Sequence, residues 1–364
     1  MQVKIGKSNK PTADAAIAEA LSGITSPSFL MVQSPYDFLE SVAKALQENF
    51  PGVPNLGTAG ITYYDSEASD KELVVIAFFN DTKVKTGVMT GLSVAPLRDI
   101  YNLEKAVSEI HPGDSDTICL EYCTNHEEIT VTSMNVALEH NNVKLLGGTV
   151  FGTPEGKTSY VMVDSVLYPD AVGFALVKNT SGKIRTYSEN IYMLNPQAKR
   201  HIATKVNLET KELIELDGRP AADVYSEDTG VARDQIVGNV LTQPLGRVIG
   251  DECYISSMYA IGNGGSLVNY KQINENDTIG VLHLMDYHDV NARTFDEIRS
   301  GSPKISFMFS VNCIYRHMLF SNDNYLNKFI GDMNNIAPHI GYVGGGEQYD
   351  RQHVNQTLVC AVFE

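Results

Sequence analysis

Two strings of signals in the first half of the chain narrow its fold more than any other feature. Ser28-Phe29-Leu30-Met31-Val32 is a short apolar run and reads as a buried strand. Ser34-Pro35-Tyr36-Asp37 follows, with Ser34 as N-cap and Pro35 at the first helical position. Phe38, Val42 and Leu46 recur every four residues, which predicts one buried helix face. The helix is expected to stop before Pro51-Gly52, and Leu56-Gly57-Thr58-Ala59-Gly60 leads into the next strand. The second string begins at Ile118-Cys119-Leu120. It continues through a second capping box, Thr124-Asn125-His126-Glu127, and a helix from Ile129 to Glu139, and it reaches Leu146-Gly147-Gly148. Each string is followed by two apolar strands: Leu73 to Phe79 and Val84 to Met89, then Tyr160 to Leu167 and Val172 to Val177. The repeated order predicts a duplicated strand-helix-strand-strand unit.

Residues 179–200 read as a connection, with Asn-Thr-Ser-Gly, Asn190 and Pro196 as turn formers. Beyond it, Ile202 to Leu208 alternates as a strand does, and Asp217-Gly218-Arg219-Pro220 marks a turn into a helix through Tyr225. Gly262-Asn263-Gly264-Gly265 lies between Cys253 to Ala260 and Ser266 to Gln272, a hairpin pattern. Strands are expected from Thr278 to Met285, Ile305 to Val311 and Val354 to Phe363, with helices from Asp289 to Arg299 and Asn324 to Met333. The fold class is therefore α/β with mixed sheets, in two domains, 1–200 and 201–364.

Composition removes several classes of function. The 364 residues carry a net charge of -16, so the chain is expected to repel nucleic acid and anionic lipid. No run reaches the apolar length of a membrane span, and the polar stretch from Met1 to Pro11 predicts no secretory leader. Cys119, Cys123, Cys253, Cys313 and Cys360 are odd in number and scattered, which predicts a reducing, cytoplasmic setting and no disulfide framework. Neither glycine loop fits a dinucleotide or phosphate-binding motif, so no nucleotide site is expected.

Several patches together resemble the FIST family, an N-terminal and a C-terminal FIST domain in tandem. In the first half they are Asn55-Leu-Gly-Thr-Ala-Gly-Ile61 and Leu145-Leu-Gly-Gly-Thr-Val-Phe-Gly152. In the second they are Glu215-Leu-Asp-Gly-Arg-Pro-Ala-Ala222, Phe309-Ser-Val-Asn-Cys-Ile-Tyr-Arg316, Ile340-Gly-Tyr-Val-Gly-Gly-Gly-Glu347 and His353-Val-Asn-Gln-Thr357. The resemblance covers nearly the whole sequence. It implies a bacterial-type sensory protein that binds a small ligand, such as an amino acid. It further leads us to expect a separate signalling partner, such as a kinase, cyclase or chemoreceptor, because no such module follows the second domain. Some relatives bind haem. Here His201 precedes Arg219-Pro220, but no second arginine is placed convincingly downstream, so no cofactor is expected and haem is the minority reading.

The candidate ligand-binding residues fall into three groups. Thr58 and Gly60, with Gly147, Gly148 and Gly152 as counterparts, form either backbone loops that face a ligand or tight turns between helix and strand. Gly345, Gly346 and Glu347 lie in the most glycine-dense run, which either lines a pocket or forms a hairpin, and Asn355 and Thr357 are expected on one face of a strand. Arg316 is placed at the end of an apolar strand, over a cleft or in a structural ion pair. If the ligand is an amino acid, Arg316 suits its carboxylate and Glu347 its ammonium group. Cys313 has His317 four residues later, a nucleophile-base spacing on a helix, but no orienting third group, so it reads as a buried inert thiol, with a Cys313-dependent hydrolase or transferase as the alternative. His283, Asp286 and His288 lack metal-helix spacing, so neither a catalytic nor a metal site is expected.

Overall fold

The computed structural model describes residues 1–194, 197–250 and 252–364, so Pro196, expected in the connection, lies outside the described residues. By contacts the chain divides into two compact units, neither of them one stretch of sequence. The first gathers residues 1–188, 294–353 and 358–364; the second holds 189–293 and 354–357.

Three sheets build the first unit, and each contains one parallel strand pair joined through helix. Phe29–Ser34 pairs in parallel with Asn55–Ala59 across the Leu39–Asn49 helix. Thr117–Cys123 pairs in the same way with Lys144–Thr149 across Glu127–Leu138. Phe307–Cys313 pairs with His339–Gly344 across two helices, Ile314–Asn322 and Leu326–Ile336. A parallel pair needs such a crossover, because a tight turn cannot bring the chain back to the same end. An antiparallel strand flanks each pair: Leu73–Phe78, Ala171–Asn179 and Thr357–Phe363. In all three pairs a glycine of the second strand stands opposite a defined residue of the first. These are Gly57 opposite Val32, Gly147 opposite Glu121 and Gly341 opposite Ser310.

The strands are apolar along their length because both faces are covered. Phe29, Met31, Leu120, Tyr122, Phe309 and Val311 turn into one shared core. Leu30 and Val32 face the helices at Ala13–Ala20 and Leu39–Asn49, while Cys119 and Cys123 face those at Ile100–Ile110 and Glu127–Leu138.

The second unit is an antiparallel sheet with helices. Thr278–Leu284 pairs with Arg200–Asn207 and with Leu245–Ile249, and Arg200–Asn207 pairs onward with Glu212–Leu216. Met258–Ile261 and Leu267–Asn269 form the expected hairpin around the Gly262 turn. The helix Ala221–Thr229 begins directly after Pro220 and ends at Gly230, whose left-handed φ of 72° is a helix-terminating conformation that glycine adopts without strain.

Both expected capping boxes are absent. Ser34 is still paired in its strand, and its hydroxyl donates to Pro35 O at 2.8 Å; a short 3-10 turn, Tyr36–Phe38, precedes the α-helix. Thr124 Oγ1 donates to Ala171 O at 3.2 Å, and His126, at a left-handed φ of 55°, precedes the second helix. The last strand begins at Thr357 rather than Val354, because Gln356 takes a left-handed φ of 56°. Asn355 therefore lies in a bend and not on the strand with Thr357.

Candidate functional site

Tyr63 organises a buried polar cluster in the first unit. It lies on the short Thr62–Tyr64 strand, antiparallel to His339–Gly344 and directly opposite Gly341. A Cβ at Gly341 would stand 2.9 Å from the Tyr63 ring and 3.0 Å from Ser310 Oγ, so only glycine lets that ring lie flat on the strand. Asn312 Nδ2 donates to the Tyr63 hydroxyl at 2.8 Å, and His317 Nδ1 is 2.9 Å from the same oxygen, with the two rings stacked at 5.8 Å. Burial pushes the Tyr63 phenol well above its usual range. The Asn312 hydrogen bond and the Arg316 charge pull it down; Cys313 and Glu347 push it up.

Arg316, Glu347 and Asn312 are fully buried. Arg316 sits in the first turn of the Ile314–Asn322 helix, not at an open strand end over a cleft, because that helix starts directly after Cys313. Its guanidinium lies over the rings of Phe320 and Phe329, 4.7 and 5.3 Å from their centres. Such stacking suits the planar, weakly hydrated arginine head. His317, half-buried, is where the cluster approaches solvent, and burial lowers its pKa. Nearby, Ser310 Oγ is 2.8 Å from His339 Nε2, and burial pushes that imidazole down to about 3.

A second group surrounds Tyr342, the strand neighbour of Gly341. Its hydroxyl accepts the Phe151 N–H at 3.0 Å and donates to Ala59 O at 3.4 Å; its ring meets Tyr122 edge-on at 5.1 Å. Gly60 and Thr58 belong here. A Cβ at Gly60 would stand 2.7 Å from the Tyr342 ring, and Thr58 Oγ1 donates to Tyr160 O at 2.9 Å. Thr58, Gly147 and Gly148 are strand residues, not loop residues, so their backbone groups lie within paired strands and do not form a cradle. Gly346 O accepts the Thr149 N–H at 3.0 Å, and Gly345 N–H donates to Thr149 O at 3.0 Å, so this glycine run is pinned to the neighbouring Lys144–Thr149 strand.

The structure thus buries Arg316, Glu347 and Cys313 in the first unit and places Gly60 beside Tyr342, with Thr58 on the adjoining strand. Asn355 and Thr357 belong to the second unit. Tyr63 and Asn312 were not singled out in the sequence. They are 249 residues apart, and each reads alone as an ordinary strand residue.

Cys313 is buried at the start of its helix, as are Cys119, Cys123 and Cys360 in their strands; only Cys253 is partly exposed, and burial raises its pKa. Native alkylation with iodoacetamide near neutral pH is therefore expected to modify Cys253 alone and slowly, with all five reacting after unfolding. Rapid labelling of Cys313 in the folded protein, read by mass spectrometry, would restore its candidacy as a nucleophile.

His201 is the residue that bears on haem. Its Nδ1 is 2.7 Å from Asp217 Oδ2 and its Nε2 is 2.7 Å from Asp228 Oδ2. An iron at either nitrogen would have to displace a carboxylate, so His201 as it stands does not fit an axial ligand. Among the described residues no group of three His, Cys, Asp or Glu side chains is placed to hold a metal ion, and no helix is long and apolar enough to cross a membrane.

No curated protein matches the chain. Residues 28–219 match the FIST N domain and residues 221–350 match the FIST C domain. The chain belongs to the FIST family, whose domains are small-ligand sensory modules of signal transduction.

Proposed function

We propose that this protein senses a small zwitterionic metabolite, an amino acid foremost, at the Tyr63 cluster of its first unit. What supports this reading is the burial in this unit of Arg316 and Glu347, a cation and a carboxylate with no exposed surface, beside the Asn312–Tyr63–His317 hydrogen bonds. A buried cation and a buried carboxylate are the groups that the carboxylate and ammonium of an amino acid call for. His317 is the entry side, because it is the cluster member with surface exposure. Ligand entry requires this edge to open, and that is also how a buried site becomes a switch. A ligand shifts the protein between two states only as far as it binds one better than the other. The output passes to a separate protein such as a kinase, cyclase or chemoreceptor. We place the protein in the cytoplasm, a setting that fits five free cysteines.

A thermal-shift screen of the full chain against the protein amino acids tests this. A binder at about 100 times its Kd stabilises the native state by about 2.7 kcal/mol, enough for a clear rise in melting temperature. His317→Ala and Tyr63→Phe are each expected to weaken that ligand roughly tenfold, the loss of about one good hydrogen bond. Indifference to every amino acid at millimolar concentration would overturn the ligand class. Unchanged affinity in both variants would overturn the site.

A further inference from the structure

The second unit contains a cleft of about 470 Å³, within the size range of small-molecule sites. Its polar lining is Gln197, Lys199, Glu227, Asp228, Gln243 and His283, and Val281 supplies an apolar wall. Asp228 is the fixed group in this lining. Its side chain is only 11% exposed, and its Oδ2 lies 2.7 Å from His201 Nε2. The other nitrogen of His201 is held by Asp217, which is itself fixed by accepting the Ile202 N–H at 2.8 Å. This Asp217–His201–Asp228 chain orients the Asp228 carboxylate from behind and leaves Oδ1 turned to the Lys199 ammonium, 3.2 Å away.

Lys199 is a different kind of partner. Its side chain is 70% exposed, so solvent competes for its ammonium and little holds the lysine in place. The lysine can leave Asp228 at little cost, whereas Asp228 cannot turn away from His201 without breaking the chain behind it. The seat's present occupant is a primary ammonium on an alkyl stem, tethered to the protein. Glu227, beside Asp228 in the lining, adds a second carboxylate, although Arg219 already pairs with it. The net charge of -16 raises the local concentration of cations generally.

We propose that this cleft binds a small primary alkylamine, its ammonium seated on Asp228 in the place the Lys199 ammonium now takes and its alkyl part against Val281. Lys199 is then an internal competitor, and the apparent affinity for the amine is reduced by the fraction of time the lysine occupies the seat.

Titration calorimetry of the full chain with n-butylamine hydrochloride at low ionic strength tests the proposal, with sodium butyrate as the charge-reversed probe. Saturable binding of one butylamine per chain is expected, and no binding of butyrate. Asp228→Asn is expected to weaken butylamine at least tenfold. Lys199→Ala, a change at an exposed side chain, is expected to tighten it by roughly threefold or more, as removal of a competing occupant requires. That gain separates a seat on Asp228 from a merely structural role of the same residues. No saturable heat from butylamine with either the wild type or Lys199→Ala would overturn the proposal, even if Asp228→Asn failed to fold. So would binding of butyrate in place of the amine. The outcome is independent of the amino-acid site, because His317→Ala is expected to leave the butylamine titration unchanged.

Discussion

Arg316→Ala is expected to lower the stability of the protein by about 3–5 kcal/mol, the range for truncating a large, fully buried side chain or breaking a buried charge arrangement. The residue has no exposed surface, and its guanidinium lies over Phe320 and Phe329. Truncation leaves a cavity between those rings and removes a desolvated cation–π contact with each, worth about 2 kcal/mol or more apiece when buried. It also leaves the Glu347 carboxylate in place with the Arg316 charge gone. For a unit of this size the melting temperature should fall by roughly 10 °C, taking about 2–4 °C per kcal/mol. Arg316→Met keeps most of the volume without the charge and is expected to recover about 2 kcal/mol of the loss, the packing share of the total. A melting curve of Arg316→Ala within a degree or two of wild type would mean that the side chain is not packed as described. The same reasoning makes Arg316→Ala a poor probe of ligand binding, since lost affinity could not be told from lost structure. His317 and Tyr63 carry that test instead.

The strand-helix-strand order could be read from the sequence because it rests on local pattern. Phe29-Leu30-Met31-Val32 is apolar at every position, and Phe38, Val42 and Leu46 keep one helical face. The Ile314–Asn322 helix escaped because it follows Cys313 with no side-chain cap to announce it, so Arg316 read as a strand-end residue. Both capping boxes were false for a related reason. Their Ser and Thr hydroxyls find nearer partners, Pro35 O and Ala171 O, and the second of these is visible only once the sheet is assembled. Arg316, Glu347 and Cys313 could be singled out by residue type, and the structure shows all three to be buried. Tyr63 could not, because its bonds to Asn312 and His317 across some 250 residues depend on strand register, and register leaves no mark on a single strand. Glu121 is the plainest case. In Ile118-Cys119-Leu120-Glu121-Tyr122 it looks like the one polar residue of a strand edge. Only the pairing with Gly147 shows it to be sealed between strands, where the equivalent position in the Phe29–Ser34 strand holds Val32.

That carboxyl supplies the second large effect. Glu121 is almost completely buried, and neither side-chain oxygen has a hydrogen-bond partner. Gly147 is required opposite it, since a Cβ there would stand 2.2 Å from Glu121 Oε1 and 2.3 Å from its backbone oxygen. The neighbours on its face are apolar or acidic: Cys119 and Cys123 on its own strand, and Glu127 in the first turn of the helix above. Burial, and then the Glu127 charge, hold its pKa well above the ordinary carboxylate range. A carboxyl whose pKa is higher in the folded state than in the unfolded state contributes stability that is fully present below the unfolded value, near about 4.3, and is lost as pH rises toward the folded value. In that window each pH unit costs about 1.4 kcal/mol while the folded carboxyl stays protonated. His339 and His317, buried with lowered pKa values, slope the other way below their ordinary value of 6.5, so the wild-type curve alone mixes the effects. The difference between wild type and Glu121→Gln cancels them. That difference is expected to be small at pH 4.5 and to grow in favour of the glutamine variant as pH rises toward the folded value, since the amide keeps the shape and cannot ionise. Glu121→Leu goes further by removing the unpartnered polar atoms, and should add about 1–3 kcal/mol at neutral pH. Parallel wild-type and glutamine curves across pH 5–8, measured by urea denaturation, would show that Glu121 meets solvent or a partner in the folded protein and is not a proton-holding group of its core.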